Sequence, residues 1–269
     1  DPVENAALMP WLTGTAFLHS VMIQEKRNML KIWNVVLIIT TFGLTIIGTF
    51  LTRSGIINSV HSFTQSEIGP AFLVYLALVL IAGFALLFKR IQMMESEYKT
   101  ESVLCRENIF LVQNILLVGI AFTVLLGTTF PLLAEAVRGT KLSIQAPFFN
   151  TITAPMGYAL LILMGFGMLI SWRRSSLDNL RMNFQNPIII ATLCTIFLVW
   201  LLFEKSMQWG VYIIFWSAIF VTSTILLEIV KATQIKTRQT GSNILMGLFY
   251  VILRNRRRYG GLMIHFGVV

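Results

Sequence analysis

Residues 70–88, PAFLVYLALVLIAGFALLF, decide the fold class, because these 19 consecutive residues include no charged side chain. At a rise of about 1.5 Å per residue, a helix of about 20 residues crosses the hydrocarbon core of a bilayer. A membrane β-barrel is disfavoured, because no ten-residue segment of the chain alternates apolar and polar residues. The stretch therefore predicts a transmembrane α-helix.

Similar apolar stretches recur along the whole chain, which is 56% hydrophobic and only 12% charged. We predict spans at 9–23, 33–51, 70–88, 109–133, 155–172, 187–203 and 209–230, and a truncated span from residue 259 onward. No internal repeat or flexible linker divides them, so we expect an all-α, polytopic transmembrane bundle of about eight spans in a single domain, 1–269. We also expect the sequence to be a fragment of a longer membrane protein.

The basic residues divide unequally between the two sides of such a bundle. Seventeen of the 21 Lys and Arg lie in or beside the loops that follow spans one, three, five and seven. The positive-inside rule places these loops on the inner side, so the chain starts outside and the loops at 52–69 and 134–154 are outer. Because the basic residues lie between apolar spans, the net charge of +9 indicates membrane topology and not a nucleic-acid partner.

The predicted inner basic loop, 231–258, contains an apolar stretch that is too short to span a bilayer and is followed by a cluster of arginines. Residues 243–258 read NILMGLFYVILRNRRR. We predict that this segment lies at the inner membrane surface, with the arginines on anionic lipid. A specific ligand site is the alternative.

Two of the three histidines fall inside predicted spans. His19 lies about 9 Å from the inner end of its span, and His265 lies about 10 Å beyond Arg258, so their depths match. Ionisable residues inside a membrane are functional by default, with hydrogen bonding to a neighbouring helix as the alternative. If the first and last spans are neighbours, the two imidazoles could face each other across a flat cofactor, for which a bis-histidine haem is the obvious candidate.

The predicted outer side carries further polar residues whose roles the sequence leaves open. His61 lies in the predicted outer loop, and Arg53 at the outer helix end suits either a carboxylate, such as a haem propionate, or lipid headgroups. Asp1 and Glu4 stand at the outer start of the first span, where acidic side chains cap helices, and Trp11 suits a membrane interface.

Four separated segments resemble, in order and spacing, the CcmF family of cytochrome c maturation proteins, which handle haem through a tryptophan-rich WWD domain. They are DPVENAALMPWLTGTAFLHS (1–20), EKR (25–27), TRSGIINSVHSF (52–63) and RRRYGGLMIHFGVV (256–269). Residues 1–24, which contain the first of these segments and the first span, resemble the end of the WWD region. The resemblance covers essentially the whole chain.

The resemblance implies that His19 and His265 are the axial ligands of a buried bis-histidine haem b. It implies that His61 is one of two outer histidines that present a transient haem at the WWD site. The other outer histidine and the WWD tryptophans would precede Asp1. The implied candidates for the WWD region and for propionate binding are Asp1, Glu4, Asn5, Trp11 and Arg53.

The implied activity is that of a haem lyase. Haem from the chaperone CcmE would be attached to the two thiols of a CxxCH motif in apocytochrome c, which a CcmH-type thiol protein helps to deliver. Quinol is a further implied partner, as electron donor to the buried haem. The implied location is a bacterial inner membrane or the mitochondrial inner membrane, with the active face in the periplasm or an equivalent compartment.

Two alternatives stay open from the residues, and a third lies within the resembled family. A haem or small-molecule transporter would need ionisable groups near the bilayer midplane, and few are present. A quinone-linked cytochrome b subunit would use the same buried histidine pair without needing His61. Within the resembled family, a relative that serves a specialised reductase instead of general cytochrome c is the third alternative.

Overall fold

Nine α-helices carry the fold in the computed structural model, which describes residues 1–54, 68–95, 102–139, 142, 144–172, 175–202 and 209–269. They are α1 (Pro2–Arg27), α2 (Lys31–Arg53), α3 (Gly69–Lys89), α4 (Arg106–Arg138), α5 (Ala146–Leu169), α6 (Leu177–Leu202), α7 (Trp209–Thr240), α8 (Ile244–Arg254) and α9 (Arg256–Val268). A 3-10 turn covers Ile91–Met94, and the described residues include no strand. Helices α1 to α7 are long and apolar enough to cross a membrane. The chain is therefore an all-α, multi-pass membrane protein, as predicted.

Several helices are longer than the spans predicted for them. Helix α4 continues to Arg138 and α5 begins at Ala146, so both enter the predicted outer loop at 134–154. Helix α6 begins at Leu177, and Pro187, which was predicted to start the span, lies inside it. Membrane helices tolerate an internal proline because neighbouring groups satisfy the freed carbonyl. Hydropathy therefore located the most apolar part of each helix, and not the ends of the helix.

The predicted inner loop at 231–258 is mostly helical, which corrects its description as a loop. Helix α7 continues to Thr240, and α8 occupies Ile244–Arg254 after a short turn. Gly241 adopts a φ of 64° in this turn, and the Asn243 side chain caps α8 by accepting from the Met246 backbone N–H at 2.8 Å. The expected truncated eighth span corresponds in position to α9, which begins at Arg256 and, with 13 residues, is not among the seven helices long and apolar enough to cross a membrane.

The chain divides into two compact units. The first contains Asp1–Thr100 and Phe110–Met156, and the second contains Glu101–Ile109 and Gly157–Val269. Each unit is described by itself below, and the expectation of a single domain stays a prediction.

In the first unit, α1 and α2 pack closely through small and polar residues. The Thr41 hydroxyl donates to Thr13 Oγ1 at 2.9 Å, and a Cβ added at Gly48 would lie 3.2 Å from the carbonyl oxygen of Ala6. Small residues at such contacts let membrane helices approach closely enough for backbone packing. Helix α3 packs against the other face of α2, where Gly43 faces Leu80.

In the second unit, α5, α6 and α7 meet around an aromatic cluster. The Phe220 side chain is completely buried, and its ring lies 5.0 Å from that of Phe166 and 5.2 Å from that of Trp216, measured between centroids. Phe184 completes the cluster, with its centroid 4.9 Å from that of Phe166. Offset aromatic packing of this kind adds to the stability gained from burial.

Gly165 is the position in this cluster where we expect the largest effect of added volume. A Cβ there would lie 2.5 Å from Cδ1 of Phe220, whose ring cannot move because its neighbours enclose it. We expect Gly165→Ala to destabilise the second unit by about 1–3 kcal/mol, as overpacked cores do. The measurement is the midpoint of thermal unfolding in detergent.

Gly157 provides the matched control for this prediction, because it lies on the same helix and a Cβ there meets no atom within 4 Å. Gly157→Ala should leave the midpoint unchanged or raise it slightly, since alanine favours a helix over glycine. Equal midpoints for the two variants would contradict the packing described here.

Candidate functional site

His19 lies on α1, two turns before the helix ends, and is half-buried in the first unit. Its Nδ1 atom is 2.9 Å from the carbonyl oxygen of Thr15. A carbonyl oxygen only accepts hydrogen bonds, so Nδ1 carries the proton and the neutral ring has its lone pair on Nε2. The ring meets Phe110 of α4 edge to face, with 5.3 Å between centroids.

His265 repeats this arrangement in the second unit. It lies near the end of α9, is half-buried, and donates from Nδ1 to the Gly261 carbonyl oxygen at 2.6 Å. The neutral His265 ring therefore also has its lone pair on Nε2. Both histidines thus adopt the same tautomer, with the backbone bond that orients metal-ligating imidazoles in proteins.

This donor set fits a haem iron. Axial haem ligation needs a neutral imidazole with a nitrogen lone pair, and the Nδ1 bond to a carbonyl raises the basicity of the ligating nitrogen. His19 and His265 both meet this requirement. Because the two residues belong to different compact units, their pairing across one haem stays a prediction.

Two carboxamides on α4 were not singled out from the sequence. Asn114 is 1% exposed, and among the described residues neither its side-chain nitrogen nor its oxygen has a hydrogen-bond partner. It lies one turn from Phe110, so it shares the face of α4 that meets His19. Gln113 beside it is also buried, and among the described residues its Oε1 atom has no hydrogen-bond partner.

An unpaired buried amide costs roughly 1–3 kcal/mol, so such groups usually serve a ligand or an ordered water. The signal was present in the sequence, because Gln113 and Asn114 are adjacent carboxamides inside the apolar span predicted at 109–133. Their burial without partners could not be deduced from the sequence, because it depends on which helices surround α4.

The start of α1, which is predicted to lie on the outer side, holds four of the candidates for the WWD region. Asp1 caps the helix, since its Oδ1 accepts from the Val3 backbone N–H at 2.7 Å, which confirms the cap interpretation. Asn5 donates from Nδ2 to Thr128 Oγ1 at 3.1 Å and so joins α1 to α4. Trp11 is 56% exposed, as expected of a side chain that faces lipid or an interface.

The remaining candidates on the predicted outer side are Glu4, Arg53 and His61. Glu4 is exposed on the first turn of α1, and Arg53 is exposed as the last residue of α2. His61 lies outside the described residues, as does most of the predicted outer loop at 52–69. Propionate binding by Arg53 and haem binding by His61 stay predictions.

Cys105 precedes α4 and is fully buried, with its thiol donating to the Ser102 carbonyl oxygen. Burial raises the pKa of the Cys105 thiol above its ordinary value, so the reactive thiolate forms only at higher pH. Neither Cys105 nor Cys194 belongs to a CxxC motif. The Cys105 thiol is therefore poorly suited to disulfide exchange.

We expect maleimide to label Cys105 at least tenfold more slowly than an exposed thiol at neutral pH, with the rate rising as the pH is raised. The measurement is mass-spectrometric labelling of a Cys194→Ser background. A matched comparison is Val103→Cys with Cys105→Ser, because residue 103 is exposed only two positions away. Equal rates at the two positions would contradict the burial of Cys105.

Comparison with known proteins gives consistent matches. Residues 1–57 match the family described as cytochrome C assembly protein. The cytochrome c-type biogenesis protein CycK of Rhizobium meliloti is 43% identical over 180 residues, which cover 66% of this chain and 26% of that protein. The CcmF protein of Escherichia coli is 34% identical over 241 residues, which cover 87% of this chain and 37% of that protein.

The ccl1 protein of Rhodobacter capsulatus, also described as a cytochrome c-type biogenesis protein, is 40% identical over 203 residues, covering 75% of this chain and 31% of that protein. The matched regions thus span between 26% and 37% of the length of these curated relatives. No solved structure matches the chain.

Proposed function

Because the chain belongs to the CcmF-type family of cytochrome c-type biogenesis proteins, we propose that it forms part of the haem-binding membrane subunit of a cytochrome c haem lyase. The observation that carries this proposal is the shared geometry of His19 and His265. Both half-buried imidazoles donate from Nδ1 to the carbonyl four residues earlier, so the ligating nitrogen of each is Nε2.

In this proposal His19 and His265 hold a resident haem b, whose iron supplies one-electron chemistry when it is bound. The Thr15 and Gly261 carbonyls fix the orientation and tautomer of the two imidazoles. Phe110 limits rotation of the His19 ring by edge-to-face contact. Asn114 supplies buried hydrogen-bonding capacity on the same face of α4.

The lyase reaction takes a second haem as its substrate. Each thiol of the CxxCH motif adds across one vinyl group, so that sulfur bonds to one carbon and hydrogen to the other, with no net gain or loss of electrons. Catalysis then depends on holding vinyl groups and thiols together in the correct orientation. We assign His61 to this substrate as an axial ligand, with Arg53 as the residue of this chain suited to a propionate.

The proposed partners follow from this reaction. They are a haem chaperone of the CcmE type as donor, apocytochrome c as acceptor, and a CcmH-type thiol protein that helps to deliver the acceptor. Quinol is the proposed electron donor to the resident haem. The proposed location is a bacterial or mitochondrial inner membrane with the active face on the outer side, which the distribution of Lys and Arg supports.

A quinone-linked cytochrome b subunit is the second candidate, because the same histidine geometry suits a haem that only carries electrons. The test is complementation of a cell that lacks its own CcmF-type protein. The full-length protein should restore covalent haem on c-type cytochromes, seen as haem staining that survives denaturing electrophoresis. Stable, fully haem-loaded protein that restores no covalent attachment would refute the lyase role.

A further inference from the structure

Helix α8 folds back along the end of α7. A Cβ added at Gly247 would meet the Thr233 carbonyl oxygen at 3.3 Å, and Val251 packs in one cluster with Val221 and Ile225 of α7. Later residues of α8 thus contact earlier residues of α7, which defines an antiparallel hairpin. The turn at Gly241 makes this reversal possible.

Apart from Arg254 at its end, the rest of the α8 surface is apolar and mostly exposed. Only Gly247 and Val251 are buried on this helix. Large apolar side chains cover the remaining surface, namely Ile244, Leu245, Met246, Phe249, Tyr250, Ile252 and Leu253. An apolar patch of this size on a membrane protein indicates contact with lipid.

The length of α7 fits this interpretation. Its 32 residues span about 48 Å, whereas the hydrocarbon core of a bilayer is about 30 Å thick. The last turns of α7, and α8 beside them, therefore belong at the boundary between acyl chains and headgroups.

A groove of about 570 Å³ lies between α7 and α8, and it combines an apolar wall with cations. The apolar wall comes from three α8 residues: Met246, Tyr250 and Leu253. Lys236 and Arg254 supply the two positive charges, and Thr240 and Ser242 supply hydroxyl groups.

The two hydroxyl oxygens are 2.7 Å apart, and the Thr240 hydroxyl also contacts the Lys236 carbonyl oxygen at 2.9 Å. These bonds hold the hydroxyls of Thr240 and Ser242 beside the Lys236 backbone. Among the residues that the structure describes, none that lines the groove is acidic, so the charged side chains lining it favour an anion.

The arginines of the neighbouring cluster lie in different environments, so they do not all share the predicted role of contacting anionic lipid. The Arg258 guanidinium donates to Glu228 Oε1 of α7 at 2.5 Å. This ion pair ties the start of α9 to α7, so Arg258 is already engaged within the protein. Arg256 and Arg257 are exposed and do not line the groove.

We propose that the groove between α7 and α8 is a binding site for one anionic phospholipid. The headgroup phosphate lies between the cationic side chains of Lys236 and Arg254, and an acyl chain lies along Met246, Tyr250 and Leu253. Lysine and arginine in such sites bind lipid phosphate by charge-assisted hydrogen bonds. This proposal is independent of haem chemistry.

Native mass spectrometry of the delipidated full-length protein tests the proposal. We expect retention of one phosphatidylglycerol at lipid concentrations where phosphatidylcholine with the same acyl chains is not retained. Lys236→Gln with Arg254→Gln should weaken this retention about thirtyfold, and either single variant about fivefold, since each charge near a lipid surface contributes a similar increment.

Arg256→Gln with Arg257→Gln is the matched control, because it removes the same charge from residues beside the groove. It should leave retention unchanged, and excess inorganic phosphate should not displace the lipid. Equal weakening by the control pair, or equal retention of the zwitterionic lipid, would overturn the proposal. Met246→Gln, which keeps every charge, should also weaken retention and provides a second test if the charge variants fold poorly.

Discussion

Replacing either His19 or His265 by alanine in the full-length protein is expected to abolish the reduced-minus-oxidised spectrum of a bis-histidine haem b. In the proposed site each imidazole would supply one bond to the haem iron, so removing either one would leave the iron one ligand short. Even the loss of a partner that only orients a metal ligand costs about 10–100-fold in affinity, so removing the ligand should lower haem retention at least as much. The measurement is the absorbance of purified protein with the bound haem extracted and quantified.

Two neighbouring exposed apolar residues give matched controls for these variants. Leu18→Ala and Ile264→Ala truncate exposed side chains next to His19 and His265 and should leave the spectrum intact. Added imidazole should partly restore the low-spin spectrum of the histidine variants, which a general loss of structure would not allow. Persistence of the bis-histidine spectrum in either histidine variant would refute the ligand assignment.

The spans were predictable because hydrocarbon imposes one dominant requirement on the sequence. A stretch such as 70–88, without a charge over 19 residues, satisfies that requirement in almost any context. The helix ends were less predictable because short-range chemistry determines them. Examples are the Asp1 cap on α1 and the φ of 66° at Gly139, immediately after α4 ends.

The candidate site likewise has some features that could be predicted from the sequence and others that could not. His19 and His265 could be selected from the sequence because an imidazole inside a span is costly and therefore rare. Their common tautomer depends only on a carbonyl four residues earlier and was within reach of helix geometry. The unpaired amide of Asn114 was not predictable, because its partners or their absence depend on the packing of other helices around α4.

The arginine cluster shows a further limit of arguments from charge. The positive-inside rule counts Arg254, Arg257 and Arg258 alike. In the folded chain Arg258 pairs with Glu228, Arg254 lines a groove, and Arg257 is exposed. Three side chains that are equivalent for topology therefore have different surroundings in the folded chain. The difference arises because α8 folds back antiparallel along α7.

Replacing His61 by alanine in the full-length protein is expected to reduce covalent attachment of haem to cytochrome c by at least a hundredfold, while the resident haem stays bound. The reason is that the proposed scheme assigns the two haems to different histidines, with His19 and His265 on the resident haem and His61 on the substrate. Loss of positioning alone lowers the rate of such a reaction by orders of magnitude. Haem staining after denaturing electrophoresis measures attachment, and the spectrum of purified protein measures the resident haem.

The His61 variant separates the candidate functions, because each function predicts a different combination of covalent haem attachment and resident-haem spectrum. A lyase subunit keeps the bis-histidine spectrum and loses covalent attachment, whereas a quinone-linked cytochrome b subunit keeps the spectrum and is unaffected in every electron-transfer readout. Ser62→Ala, a change at the adjacent position, should leave attachment at the wild-type level. Normal attachment by the His61 variant would remove this residue from the lyase step, and simultaneous loss of both readouts would show that the two haem sites are not independent.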